Sequence, residues 1–247
     1  MNLCTDQLAI LLATPGQLHS VSYLATRADT AVLSDKAARY VINYGLAEEI
    51  FLMKPDLIIA GTFTTRATVN LLKRLGFRVV EIPPANSFAD IENNIRRMGE
   101  LLVREDAAEA MIGEMRRELS SMSRDEKHRA VTALYYANSY SSGGNTLASA
   151  IVRRAGLDNL GDRLGLQGTT RLPLELLVTG APELLVKGRR VGKTKSRSTA
   201  VLEHPALTAV TANTSRALLS DRYWVCGAPF TLEAVRNLAR AALKVDR

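Results

Sequence analysis

Ala47-Glu48-Glu49-Ile50-Phe51-Leu52-Met53-Lys54-Pro55-Asp56-Leu57-Ile58-Ile59-Ala60-Gly61 decides how this chain folds, because its landmarks return further along. Glu48, Ile50, Pro55, Asp56, Leu57 and Gly61 recur at a constant offset of 127 as Glu175, Leu177, Pro182, Glu183, Leu184 and Gly188. Each copy reads as a glutamate opening a short helix, a Pro-acid turn, a buried strand and a glycine leading into a loop. The proline ends the helix, since it has no N–H to donate and restricts the residue before it. Two copies of one unit in 247 residues predict two similar lobes.

Outward from the repeat, helical and strand-like patterns alternate. Residues 6–13 predict a helix, His19–Tyr23 a short strand, 46–53 a helix and Asp56–Ala60 a strand. Thr65–Leu75 is amphipathic, Gly76 breaks it, and Arg78–Ile82 is a further strand. In the second half Val131–Tyr136 and Glu183–Lys187 predict strands, and Thr146–Ala155, Glu175–Thr179 and Thr231–Leu243 helices. Such alternation predicts an α/β fold of mainly parallel sheets covered on both faces. From Ser87 to Met122 no strand intervenes; apolar residues at Ile91, Ile95, Met98, Leu101, Leu102, Ala108, Met111, Ile112, Met115 and Leu119 predict a single long helix, or one interrupted near Arg104. About 30 helical residues span roughly 45 Å, the length of a connector. The expected organisation is an N-terminal lobe over 1–86, a linking helix over 87–122 and a C-terminal lobe over 123–247.

Composition sets limits on function. No run of eighteen apolar residues escapes interruption by a charge, so no spanning helix is expected. Met1-Asn2-Leu3-Cys4-Thr5-Asp6 has neither a basic nor an apolar region of an export signal. The net charge of +7 raises nucleic acid as a partner, but basic pairs such as Arg96-Arg97, Arg116-Arg117 and Arg153-Arg154 are dispersed as solvated helix faces, and no nucleic-acid partner is expected. The one dense cluster, Arg189 to Arg197, reads as a solvated loop or an anion contact. Cys4 and Cys226 are too few for a disulfide scaffold, and His19, His128 and His204 are scattered, so neither a metal site nor a resident cofactor is expected.

In parallel α/β sheets ligands lie beyond the carboxyl ends of the strands. The loops to examine are therefore Thr62–Arg66, with Phe63 and Arg66, Asn138–Asn145, with Tyr140, Gly143 and Gly144, and Arg189–Arg197. Aromatics, hydroxyls and arginines together suit a large, partly apolar, partly anionic ligand. Ser141-Ser142-Gly143-Gly144-Asn145 lacks the remainder of a phosphate-binding motif and reads as a loop and helix cap. No nucleophile elbow or arranged His, acid and nucleophile is present, so binding rather than catalysis is expected. Glu48 and Glu175, at corresponding points of the repeat, are either first-turn acids favoured by the helix dipole or a two-point mark for a partner with matching arginines.

Several segments together resemble a known family: Leu3-Cys4-Thr5-Asp6-Gln7-Leu8, Lys54-Pro55-Asp56-Leu57, Leu71-Leu72-Lys73-Arg74-Leu75-Gly76, the long linking stretch, Leu172-Pro173-Leu174-Glu175, and Trp224-Val225-Cys226-Gly227-Ala228-Pro229. Their order is similar to that in the class III periplasmic substrate-binding proteins of ABC importers for vitamin B12, haem and ferric siderophores, over nearly the whole chain. The resemblance implies two Rossmann-like lobes bridged by a rigid helix, a monomer that captures a metal chelate in an inter-lobe cleft, and delivery to an inner-membrane permease. It implies docking through Glu48 and Glu175, and ligand contacts from Cys4, Thr5, Tyr23, Tyr44 and Phe63 on the first lobe and Tyr140, Arg171, Arg189, Tyr223 and Trp224 on the second. Family members begin with a signal sequence and a complete first strand, inside which this chain is expected to start. Near the cleft Cys4 and Cys226 would pair, meet a haem or cobalt, or remain buried thiols. A cytosolic ligand sensor, or a cofactor-assembly protein on the same scaffold, is the alternative function.

Overall fold

The computed structural model describes residues 1–122, 129–187, 197–205, 207, 214–218, 220–243 and 245. The chain divides into two compact units, one of Met1–Ala85, Ala89–Met115 and Val225–Pro229, the other of Asn86–Phe88, Arg116–Trp224 and Phe230–Arg247. The stretch 87–122 thus belongs partly to each unit, and a short segment near the C-terminus joins the first.

The first unit opens with α1 (Leu3–Leu12), capped by Asn2, whose side-chain oxygen accepts from the Cys4 and Thr5 amides. The helix begins within two residues of the start of the chain, where a strand was expected; the Met1 ammonium donates to the Ile59 carbonyl at 2.9 Å and to Asp6. Two parallel pairs follow: β1 (Ser20–Ser22) with β2 (Val41–Asn43), and β3 (Ile58–Gly61) with β4 (Val79–Ile82). The short α2 (Ser34–Ala37) precedes β2, α3 (Ala47–Met53) lies between β2 and β3, and α4 (Arg66–Arg74) between β3 and β4. Buried polar groups of α1 organise the loops. The Asp6 carboxylate accepts from the Ser22 amide at 2.8 Å and from its hydroxyl at 2.5 Å, and Gln7 Oε1 accepts from the Val32 and Leu33 amides. Each buried acceptor that finds a donor avoids a desolvation penalty of about 1–3 kcal/mol.

The long linking stretch is interrupted at Val103–Arg104, near the place the apolar pattern allowed for, and is two helices rather than one, α5 (Phe88–Leu102) and α6 (Glu105–Ser121). Val103 adopts φ +52, the Val103 amide donates to the Glu100 carbonyl, and the Arg104 amide donates to the Gly99 carbonyl at 2.7 Å. That is a Schellman termination, with a valine where glycine is usual. The chain turns tightly enough that a side chain at Gly99 would strike Ala108 and the Arg104 carbonyl.

The second unit is built on a four-stranded parallel sheet of order β10-β9-β5-β7, formed by β5 (Val131–Tyr135), β7 (Asp158–Asn159), β9 (Leu184–Lys187) and β10 (Ser215–Leu218). Leu184, Leu185, Val186, Ala133, Leu134 and Tyr135 are fully buried, as expected of strands covered on both faces. An antiparallel pair, β6 (Tyr140–Ser142) with β8 (Thr169–Arg171), branches off. Helices α7 (Leu147–Arg154), α8 (Leu160–Arg163), α9 (Leu174–Thr179), α10 (Arg197–Ala200) and α11 (Thr231–Ala242) complete the described elements. The end of α6 is tied into this unit by an Arg236–Glu118 ion pair and by Arg154, which donates to the Leu119 carbonyl.

The repeat is structural as well as sequential. α3 ends on Lys54 at φ +47 immediately before Pro55, and α9 is followed by Ala181 at φ +40 immediately before Pro182. Lys54 and Ala181 stand 127 apart, the offset of the sequence repeat. Proline disfavours the right-handed helical region for its predecessor, and in both copies the chain takes the left-handed alternative at a cost of about 1–2 kcal/mol.

Candidate ligand and docking sites

The carboxyl ends of the strands carry the candidate aromatics. In the first unit Ser22 of β1 pairs with Asn43 of β2, so the next residues, Tyr23 and Tyr44, emerge side by side. Their rings stack with centroids 5.4 Å apart, and Tyr44 remains 65% exposed. The Tyr44 amide donates to Glu49 Oε2 of α3 at 2.8 Å, while Asn43 holds the strand ends by donating to Ser20 Oγ and accepting from the Gly45 amide. Beyond β3 the Gly61 amide donates to Thr64 Oγ1 and the Thr64 amide returns to the Gly61 carbonyl. This tight turn projects Phe63 into solvent at 85% exposure and leads into α4, whose first residue, Arg66, is also exposed. Three large aromatic rings thus stand outside the core just beyond three strand ends, two of them stacked on each other.

Cys4 and Thr5 are occupied elsewhere. Cys4 forms a disulfide with Cys226, across a sequence separation of 222 and a Cα–Cα distance of 5.1 Å, which decides between the alternatives left open for the two thiols. Thr5 is buried and donates from Oγ1 to the Asn2 carbonyl. A cavity of 310 Å³ lined by Ser20, Asn43, Ile58, Ile59 and Leu102 includes Thr5 and none of the other candidates.

In the second unit Tyr140 and Arg171 are direct partners in the β6–β8 ladder, both exposed. Tyr223 is half-buried, with the Arg222 guanidinium 5.0 Å from its ring centroid and donating to its hydroxyl at 2.9 Å. Trp224 is only 8% exposed: its ring meets Tyr136 edge-on at 5.9 Å and its Nε1 donates to Asp221. Arg189, and with it most of the Arg189–Arg197 cluster, lies outside the described residues, as does His128. Gly143 and Gly144 do not cradle a ligand, because their amides donate to the Gly168 and Leu166 carbonyls and Thr146 caps α7. Sequence reasoning missed Tyr136 and Arg222; both adjoin residues it had named, Tyr136 at the end of β5 and Arg222 before Tyr223.

Burial pushes the Tyr136 phenol well above the usual tyrosine range, with the nearby Asp221 carboxylate adding to the shift and a hydrogen bond with Ser142 opposing it. A raised folded-state value means that the neutral phenol's contribution is complete below pH of about 10 and is lost as pH rises further. The ultraviolet titration is expected to contain a delayed tyrosine step that Tyr136→Phe removes; a wild-type curve without one contradicts this assignment.

Glu48 and Glu175 occupy the same place in α3 and α9, the second residue of each helix. Both are exposed, and among the described residues neither carboxylate has a hydrogen-bond or cationic partner. Asp35, Asp56, Glu105, Asp106 and Glu114 likewise have none among the described residues, whereas Asp29, Glu81, Glu109, Asp158, Asp162 and Glu233 are ion-paired. No group of three or more metal-ligating side chains occurs among the described residues, and no described helix is long and apolar enough to cross a membrane.

A family model described as periplasmic binding protein matches residues 6–219. Among solved structures, the periplasmic heme-binding protein RhuT from Roseiflexus sp. RS-1 is similar with a TM-score of 0.81 at 17% identity, covering 100% of this chain and 97% of that one. A possible iron-binding (periplasmic solute-binding) protein from Staphylococcus epidermidis has a TM-score of 0.79 at 18% identity, covering 98% and 96%. The periplasmic vitamin B12 binding protein BtuF of Vibrio cholerae has a TM-score of 0.72 at 16% identity, covering 100% and 96%. At such identities the likeness concerns the fold. No curated protein sequence matches the chain.

Proposed function

The chain belongs to the periplasmic binding protein family, and we propose that within it this protein captures a metal chelate of the haem, corrinoid or ferric-siderophore class and delivers it to an ABC permease. The observation that carries the proposal is the set of exposed aromatics, Tyr23, Tyr44 and Phe63, presented by the carboxyl ends of three strands of one unit. Exposed rings on a rigid scaffold bury large apolar area on a ligand at little cost in conformational entropy. Proteins of similar structure bind haem or vitamin B12 or belong to an Fe3+-hydroxamate transport system, so the ligands named for them are metal chelates. Arg66 in the first unit, and Tyr140, Arg171, Arg189 and Tyr223 in the second, are the proposed polar contacts for the ligand's carboxylates or amides. Binding alone is proposed, with no covalent step.

The Cys4–Cys226 disulfide supports residence in an oxidising compartment such as the periplasm and disfavours the cytosolic sensor, since thiols stay reduced in the cytosol. Glu48 and Glu175 are the proposed contacts to permease arginines.

The aromatic surface is tested by Tyr44→Ala and Phe63→Ala, with haem and cobalamin as probes in calorimetry. Each substitution is expected to weaken the tighter-binding probe about 10-fold, the value of one buried ring face, while the melting temperature stays within a degree or two. Unchanged affinity in both variants contradicts the aromatic site.

A further inference from the structure

Beside Glu48 lies an apolar groove that the fold itself does not need. Ala47, Glu48, Phe51 and Leu52 of α3, Leu71 of α4 and Leu75 just beyond the end of α4 line a volume of 350 Å³. Leu52 is 77% exposed, and Leu46, Phe51 and Leu75 are each about half exposed. The unit's own core cluster at this point is made by Ala47, Ile50, Ile58 and Leu72, so Leu52 is not a core residue displaced outward. Single exposed apolar residues need no explanation, but a contiguous group around a concavity marks an interaction surface.

The second copy of the repeat carries the same combination. Three residues after Glu48 stands Phe51, and three residues after Glu175 stands Val178, 45% and 40% exposed. Residues three apart share a helix face, so on α3 and on α9 a carboxylate and an apolar side chain stand one above the other. The amphipathic helices α5 and α11, by contrast, direct large apolar residues inward, as Ile91, Ile95 and Met98, and Val235 and Leu238 are all buried. The pairing of an unpartnered carboxylate with exposed apolar residues therefore recurs at equivalent points of two units, where a chance patch would not.

We propose that these are composite docking marks, and that the α3–α4 groove receives an apolar side chain of the permease set within one helical turn of the arginine or lysine that meets Glu48. The proposal rests on Glu48 and Glu175 as permease contacts and adds the chemistry around them. In a chain of net charge +7, two isolated carboxylates call for a cationic partner. An apolar surround excludes water from the ion pair and strengthens it, as the rim of near-neutral contacts does around an interface hot spot. The occupant is thus a cationic residue flanked by Leu, Ile, Phe or Met on the partner's surface.

The test is binding of the full-length protein to the permease–ATPase complex of its importer, held in nanodiscs, at low and at high salt. Leu52→Asn and Leu75→Asn, both at exposed positions, are each expected to raise Kd about 10-fold at either salt concentration. Glu48→Gln is expected to raise Kd by a similar factor at low salt and by less at high salt, because only its contribution is screened. Unchanged binding by both leucine variants alongside weakened binding by Glu48→Gln overturns the groove and leaves the glutamate contact standing. No effect from any of the three overturns the underlying docking assignment as well. A wild-type protein that dimerises in solution and becomes monomeric on Leu52→Asn assigns the groove to self-association and also overturns the proposal. Unaltered melting temperatures and haem or cobalamin affinities exclude misfolding as the cause.

Discussion

Uptake supported by a chain carrying Glu48→Arg together with Glu175→Arg is expected to fall at least about 100-fold, while affinity for the ligand in solution stays within about twofold of wild type. Each reversal sets a cation against a cationic site, and like charges placed together at an interface cost several kcal/mol, or more than a factor of 100 for the pair. Ligand affinity is expected to be spared because the Glu48 carboxylate makes no hydrogen bond or ion pair with Tyr23, Tyr44 or Phe63, although α3 begins only three residues after Tyr44 and its Glu49 accepts from the Tyr44 amide. Stability should change little: both side chains are exposed, and only the modest attraction between a first-turn acid and the helix dipole, about 0.3–1 kcal/mol at each position, is lost. Radiolabelled uptake in cells expressing only the variant, set beside calorimetry on the purified protein, separates the two effects. Loss of affinity in parallel with loss of uptake contradicts the docking assignment.

The second large effect concerns the disulfide. Cys4 at the start of α1 and Cys226 close a loop of 222 residues, and constraining so long a loop in the unfolded chain is worth about 3–5 kcal/mol. For a protein of this size that corresponds to a melting temperature lower by about 10 °C after reduction. Cys4→Ala with Cys226→Ala is expected to show the same decrease without reductant and no further response to it. The bridge holds Val225–Pro229 in the first unit, where Cys226 and Ala228 are buried and a side chain at Gly227 would strike Ala85 and Ile91. A wild-type melting temperature indifferent to reductant contradicts the bridge.

The elements legible in the sequence were those with strong apolar periodicity. β3, β5 and β9 stand out as β-rich runs, and α4, α7 and α11 as amphipathic stretches bounded by Gly or Pro. Short polar strands were not legible. β7 is Asp158–Asn159 and β10 begins Ser-Arg, and they are strands because they complete the edges of a sheet nucleated by β5 and β9. β6 was hidden in a Ser-Gly-Gly segment that read as a loop, since only its partner β8 makes it a strand. The break between α5 and α6 was anticipated near Arg104 as one of two alternatives, and only its usual glycine signal was lacking, because Val103 takes the left-handed position.

At the candidate site, Phe63 was proposed from its loop after β3 and Tyr23 and Tyr44 from the family resemblance alone, and the stacking of the two tyrosines follows from the Ser22–Asn43 register, which only pairing reveals. The burial of Thr5 and Trp224 was not legible, because both depend on long-range packing of side chains that local pattern leaves undetermined. With the tryptophan ring packed against Tyr136, its fluorescence is an indirect reporter, and a label-free method is the better measure of binding.

Isothermal calorimetry of the purified, disulfide-bonded protein against haem, cobalamin, cobinamide and a ferric hydroxamate siderophore is therefore the most direct test. Saturable one-to-one binding of one member of the panel, with Kd of about a micromolar or tighter and weakened by Tyr44→Ala, is the predicted result. A folded protein that gives no saturable heat with any of the four contradicts its assignment as a carrier of this ligand class.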